Sequence, residues 1–212
     1  MSLLHKLIGK DGRFFDLLEA SAAMARECAG LLPQLLAEID AGDPSTTLET
    51  FARTRSHDKK ISNDIYEALS RTFVTPIERE DMQALTRALY RIPKTVEKLG
   101  ERLAISPRPL PIDIIAKQAN AAKEAAALVE KMVTALRHGP NLALARELND
   151  ALMTIENEAD RSLVDLLRDL YEVDRPARVM FALRDIYDLC EKIIDRTRDA
   201  GGLVMTIMLK AS

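Results

Sequence analysis

The stretch Ser106-Pro107-Arg108-Pro109-Leu110-Pro111 places three prolines within five residues at the midpoint of the 212-residue chain. Proline fixes φ and lacks the backbone N–H, so neither a helix nor a central strand continues through such a run. The sequence on its two sides is of one kind. Ala, Leu, Glu, Arg, Lys and Asp dominate, glycine is sparse at 8, aromatics reach only 4% and Trp is absent. That is the composition of long helices. The chain is therefore expected to be all-α: six long antiparallel helices forming two tandem three-helix bundles. Residues 1–105 make the first bundle, 106–111 a proline-rich hinge, and 112–212 the second bundle.

Apolar residues recurring at helical spacing set the elements. The first helix is expected over about Phe14–Asp40, kinked at Pro33 and ended by Gly42. The second follows Asp43-Pro44 and runs to about Phe73. Thr75-Pro76-Ile77-Glu78 reads as an N-cap, a Pro at N1 and a Glu at N3, opening a third helix to about Leu103 that Pro93 interrupts. The fourth spans about Ile112–Arg137 before Gly139-Pro140, and the fifth about Leu142–Tyr171. The sixth runs from near Pro176 to the C-terminus, loosened at Gly201-Gly202. Residues 1–12 read as a short amphipathic lead that docks through Leu3, Leu4, Leu7 and Ile8.

Much of the two halves aligns without gaps at an offset of 101 residues: Leu31, Leu32 and Leu35 fall on Met132, Val133 and Leu136, and Leu85, Leu89 and Ile92 on Ile186, Cys190 and Ile193. Within this repeat the charge inverts. Glu156 and Asp160 correspond to Arg55 and Lys59; Asp188, Glu191, Asp195 and Asp199 correspond to Arg87, Tyr90, Lys94 and Lys98.

Glu156 with Asp160, and Glu191 with Asp195, are spaced i, i+4, which stacks both carboxylates of a pair on one helix face. Two such helices side by side aim four carboxylates at one point, a donor set for a hard cation such as Mg²⁺, Ca²⁺, Mn²⁺ or iron, with Zn²⁺ a further candidate. The bland alternative is a pair of solvated acidic faces. The matching basic positions Arg55, Lys59, Arg87, Lys94 and Lys98 instead suit an anion or an acidic partner.

Other chemistry has little footing. No Gly-x-Ser-x-Gly elbow, phosphate-binding glycine loop or His-Glu-x-x-His motif occurs. The histidines are His5, His57 and His138, none placed as in a di-iron carboxylate site. The formal net charge of −3 argues against general nucleic-acid binding. Cys28 and Cys190 sit in apolar stretches and read as buried free thiols of a reducing compartment. No signal peptide or transmembrane run is apparent, so the protein reads as cytoplasmic, with peripheral contact at the inner face of the membrane as an alternative.

The chain resembles the PhoU-like proteins, and more closely the Pit accessory proteins among them, which are phosphate transport regulators. Four stretches carry the resemblance: Phe14-Phe15-Asp16-Leu17-Leu18-Glu19, Phe73-Val74-Thr75-Pro76-Ile77-Glu78-Arg79-Glu80-Asp81, Ile155-Glu156-Asn157-Glu158-Ala159-Asp160, and Asp185 to Lys192 leading to Asp195. It covers almost the whole chain. It implies two three-helix bundles, multinuclear metal sites that often hold iron, and regulation of inorganic phosphate uptake beside a Pit-type or other membrane transporter. Carried over position by position, Glu156, Asp160, Glu191 and Asp195 match the metal positions of the second repeat. Arg55, Lys59, Tyr90 and Lys94 replace acidic residues in the first, so at most one metal site is expected.

The sequence thus reads as a non-enzymatic regulator or accessory protein of phosphate transport, with one carboxylate metal site in repeat two. The alternative is a metal-free helical scaffold whose opposed charged faces mediate homodimerisation or partner docking. Metal-assisted phosphate-ester hydrolysis has ligands here but no evident general base.

Overall fold

The computed structural model describes the backbone of residues 3–212 and side chains from residue 12 onward. The expected docking of residues 1–12 through Leu3, Leu4, Leu7 and Ile8 lies outside the described side chains. Seven helices account for nearly all of the described chain: α1 Leu3–Gly30, α2 Leu32–Ala41, α3 Ser45–Arg71, α4 Arg79–Ile105, α5 Ile112–Leu136, α6 Leu142–Glu172 and α7 Ala177–Ala211. There is no strand among the described residues.

The first expected helix is broken rather than merely kinked. Leu31 separates α1 from α2, because Pro33 occupies the first turn of α2 and cannot donate back into α1. Gly42 closes α2 in the left-handed region at φ 95°, and the Asp43 N–H reaches back to the Glu38 carbonyl at 3.0 Å. Asn141 caps α6, its side-chain oxygen accepting from the Leu144 N–H at 3.1 Å.

Three local expectations yield to tertiary packing. Pro93 does not interrupt α4, which runs unbroken from Arg79 to Ile105. A proline inside a helix costs about 3 kcal/mol, but Pro93 lies in the core and α4 is packed against α1, α3 and α7 along its length. Thr75 is not an N-cap: its hydroxyl donates to the Ile77 carbonyl at 2.7 Å, and α4 begins only at Arg79. Gly201-Gly202 does not loosen α7, which is continuous to Ala211. A Cβ on Gly201 would collide with the Leu152 side chain, so glycine there serves the close approach of α6 to α7.

Each half forms a three-helix bundle. The first consists of α1 (continued by α2), α3 and α4, the second of α5, α6 and α7. The halves join lengthwise, α1 along α5 and α4 along α7, leaving α3 and α6 on opposite flanks. One continuous cluster of buried apolar residues, including Phe14, Phe51, Leu85, Val129, Leu152 and Ile193, runs through both. The repeat is visible in packing detail. Gly100 and Gly201 are 101 positions apart, as are Phe51 and Leu152. A Cβ on Gly100 would come within 3.0 Å of Phe51, just as one on Gly201 would meet Leu152. Arg71 and Glu172, the last residues of α3 and α6, show the same spacing. Cys28 and Cys190 are buried free thiols, and burial raises both, Cys190 to about 12.

A candidate carboxylate metal centre and its inverted counterpart

α6 and α7 lie side by side and bring three acidic residues to one place. Asp160 on α6 and Glu191 and Asp195 on α7 each offer a carboxylate oxygen, and these atoms all lie within 4.8 Å of one another. Asp160 is exposed; Glu191 and Asp195 are half-buried. Burial raises the Glu191 carboxyl above its ordinary range, and the charges of Asp195, Asp160 and Asp188 push it further. Three carboxylates so close repel one another unless a proton or a cation intervenes.

Glu156 stands apart. Its carboxylate is ion-paired with the Arg198 guanidinium of α7 at 3.4 Å. The same two positions in the first half carry the opposite charges, since Arg55 and Glu97 precede Glu156 and Arg198 by 101 residues and are themselves ion-paired. The cross-helix bridge is therefore kept in both repeats with its polarity reversed. Neither Glu97 nor Arg198 stood out in the sequence, because each bears the sign opposite to its cluster.

The basic positions of the first half are also sorted by the fold. Lys59 of α3 and Arg87 and Lys94 of α4 line one pocket of about 320 Å³, together with Tyr90 and Arg91. Lys98 lies instead along an adjoining groove of about 580 Å³ between α4 and α7, where Glu97 and Glu101 supply negative charge and Lys192 and Arg196 join from α7. Arg91 was missed because its counterpart, Lys192, is not acidic and the inversion does not pass through it.

The acidic and basic clusters do not neutralise each other within the chain. Among the described residues, the two halves are bridged by other pairs: Arg26–Glu130, Arg102–Asp185, Arg137 with Asp16 and Glu19, and Lys210 with Glu78 and Asp81. A further buried charge escaped notice. Asp58, 0% exposed, accepts a hydrogen bond from the Ser21 hydroxyl at 2.6 Å, while its second oxygen has no partner in the protein. Burial lifts its carboxyl to about 6.

No family model matches the chain. Comparison with solved structures shows the fold to be that of PhoU-like proteins. A PhoU-like protein from Shewanella oneidensis MR-1 superposes with a TM-score of 0.82 over 93% of this chain and 99% of its own, at 16% identity. A structure described as a "putative PhoU-like phosphate regulatory protein" from the same organism gives 0.81 with the same coverage and identity. In sequence, the chain is similar from end to end to a protein of Rhizobium meliloti (strain 1021) named "Putative pit accessory protein". The two are 25% identical over 219 residues, covering 99% of each. The resemblance seen in the motifs is thus present at the level of the whole sequence and of the whole fold. No described helix is long and apolar enough to cross a membrane.

Proposed function

We propose that this chain is a non-enzymatic regulatory or accessory protein of inorganic phosphate transport, acting beside a Pit-type transporter or another membrane phosphate-uptake component. The observation that carries this reading is the similarity to the protein named "Putative pit accessory protein" over 99% of each chain. The PhoU-like fold supports it. The relatives are named for accessory and regulatory roles rather than for a reaction.

The residues of the second half fit one hard cation held by Asp160, Glu191 and Asp195. Support comes from the convergence of their oxygens; burial, with the neighbouring charges of Asp195 and Asp160, raises the Glu191 carboxyl. Oxygen-only donors suit iron, Mn²⁺, Mg²⁺ or Ca²⁺. When bound, such an ion supplies positive charge between α6 and α7, with coordination positions left for water or anion oxygens. The chain's own contribution is to hold the three carboxylates together, with Arg198 keeping Glu156 aside. Three ligands fit a single ion better than a cluster.

The test is uptake of radiolabelled phosphate in cells lacking this protein, compared with cells in which it is restored. Altered uptake, or altered dependence of uptake on external phosphate, is expected in its absence. Identical uptake under phosphate-rich and phosphate-poor growth rules the transport role out.

A further inference from the structure

The pocket between α3 and α4 is the first-half counterpart of the carboxylate site: Lys59, Tyr90 and Lys94 stand where the second half has Asp160, Glu191 and Asp195. Arg87 and Arg91 add two further cations to its lining. Among the described residues, none of Lys59, Arg87, Arg91 and Lys94 is ion-paired, and no acidic residue lines the pocket. Arg87 and Arg91 are spaced i, i+4 on α4, so they repel as the acidic pairs do.

A second observation points to a ligand. Ser62 lines the same pocket and is 7% exposed, and its buried hydroxyl has no hydrogen-bond partner in the protein. A buried hydroxyl left unpaired is costly, and native structures normally satisfy it with protein, water or ligand. A hydroxyl donor surrounded by unpaired Lys and Arg side chains is complementary to an oxyanion, which accepts several charge-assisted hydrogen bonds at once. The pocket is small, about 320 Å³, which suits a compact anion; the adjoining groove carries both signs, Glu97 and Glu101 beside Lys98, Lys192 and Arg196.

We infer that the first half carries a binding site for a compact, multiply charged oxyanion of the orthophosphate class, formed by Lys59, Arg87, Arg91 and Lys94 with the Ser62 hydroxyl. One ancestral helix pair would then present a cation site in one repeat and an anion site in the other. The inference deepens the phosphate-transport reading by giving it a ligand site, but it rests on the pocket and is tested separately.

The experiment is calorimetric titration of the full chain with inorganic phosphate in chelator-treated, low-salt buffer, with sulfate and an acidic peptide as parallel titrants. Saturable one-to-one binding of phosphate is expected, weakening as salt rises. A Lys59→Gln, Lys94→Gln double variant should bind about tenfold more weakly or worse, and Ser62→Ala a few-fold more weakly. Asp160→Asn should bind as wild type does. Circular dichroism of each variant confirms that the helices are intact. The inference is overturned by absence of saturable binding at millimolar phosphate, by undiminished binding in a folded double variant, by loss of binding in Asp160→Asn, or by binding of the peptide alone. Failure here leaves the transport role standing, since uptake in cells reads that role directly. Unaltered uptake beside intact phosphate binding removes the transport role alone.

Discussion

The two halves of this protein are built on one packing plan and carry opposite chemistry on it. In both, a glycine on the third long helix lets the second approach: Gly100 beneath Phe51, Gly201 beneath Leu152. In both, a salt bridge joins these helices at equivalent positions, Arg55–Glu97 in one and Glu156–Arg198 in the other. Beside the bridge, one half gathers Lys59, Arg87 and Lys94 and the other Asp160, Glu191 and Asp195. Interior packing constrains shape and volume, whereas a half-exposed cluster constrains only its own electrostatics. A duplicated scaffold can therefore keep its core and reverse its surface.

The largest expected effect tests the shared core. Phe51→Ala should destabilise the protein by about 4 kcal/mol and Leu152→Ala by about 3 kcal/mol, each leaving a cavity against its glycine. Urea unfolding reads both. A cost confined to one half would break the equivalence of the two packings.

The next effect separates the halves by their ligands. Mn²⁺ or Fe²⁺ at about a hundredfold excess over Kd should stabilise the wild type by about 3 kcal/mol, measured as a shift in thermal unfolding. Asp195→Asn should abolish the shift, and Glu156→Gln should retain it, because Glu156 is engaged by Arg198. Loss of the shift in Glu156→Gln would restore a four-carboxylate site.

Asp58 gives a smaller effect found only in the first half, where the equivalent position of the second is Ala159. Its folded pKa of about 6 lies above the unfolded value of about 3.9. The folded state thus holds the proton more tightly, so the stability owed to this group falls as pH rises from about 4 to about 6 and is level above that. Asp58→Asn should remove this fall, gaining about 2 kcal/mol over wild type between pH 4 and pH 7.5. Parallel stability–pH curves for the two proteins would show that Asp58 does not titrate in this range.

The smallest effect concerns the reversed bridges. Arg55→Glu or Glu97→Arg alone should cost a fraction of a kcal/mol. The double swap, which installs the second half's polarity in the first, should recover about 0.5 kcal/mol as a coupling energy in a double-mutant cycle. Additive costs would mean that the bridge is incidental to the packing.

Much of this was legible in the chain itself. Apolar spacing marked the six helical runs and most of their ends, though not the break at Leu31 that divides the first, because periodicity is a local signal. The 101-residue offset and the charge inversion need only a comparison of the sequence with itself. The misreadings were also local: Pro93, Thr75 and Gly201-Gly202 each carry a strong intrinsic preference that packing overrides. Asp58 was hidden because it lies in a run of charged residues, and only the position of α1 shows that its face of α3 is buried.

The sequence by itself determined the all-helical class, the duplication, and the sign of charge at every position of the two clusters, since all of these are properties of composition and spacing. The tertiary structure alone decided which of those charges meet. It turned Glu156 to Arg198, brought Asp160 to Glu191 and Asp195, and left the Ser62 hydroxyl unpaired among unpaired cations. Spacing along one helix fixes the face a side chain shares with its neighbours; what that face meets depends on the rotation and approach of a second helix, which the close-packed core sets.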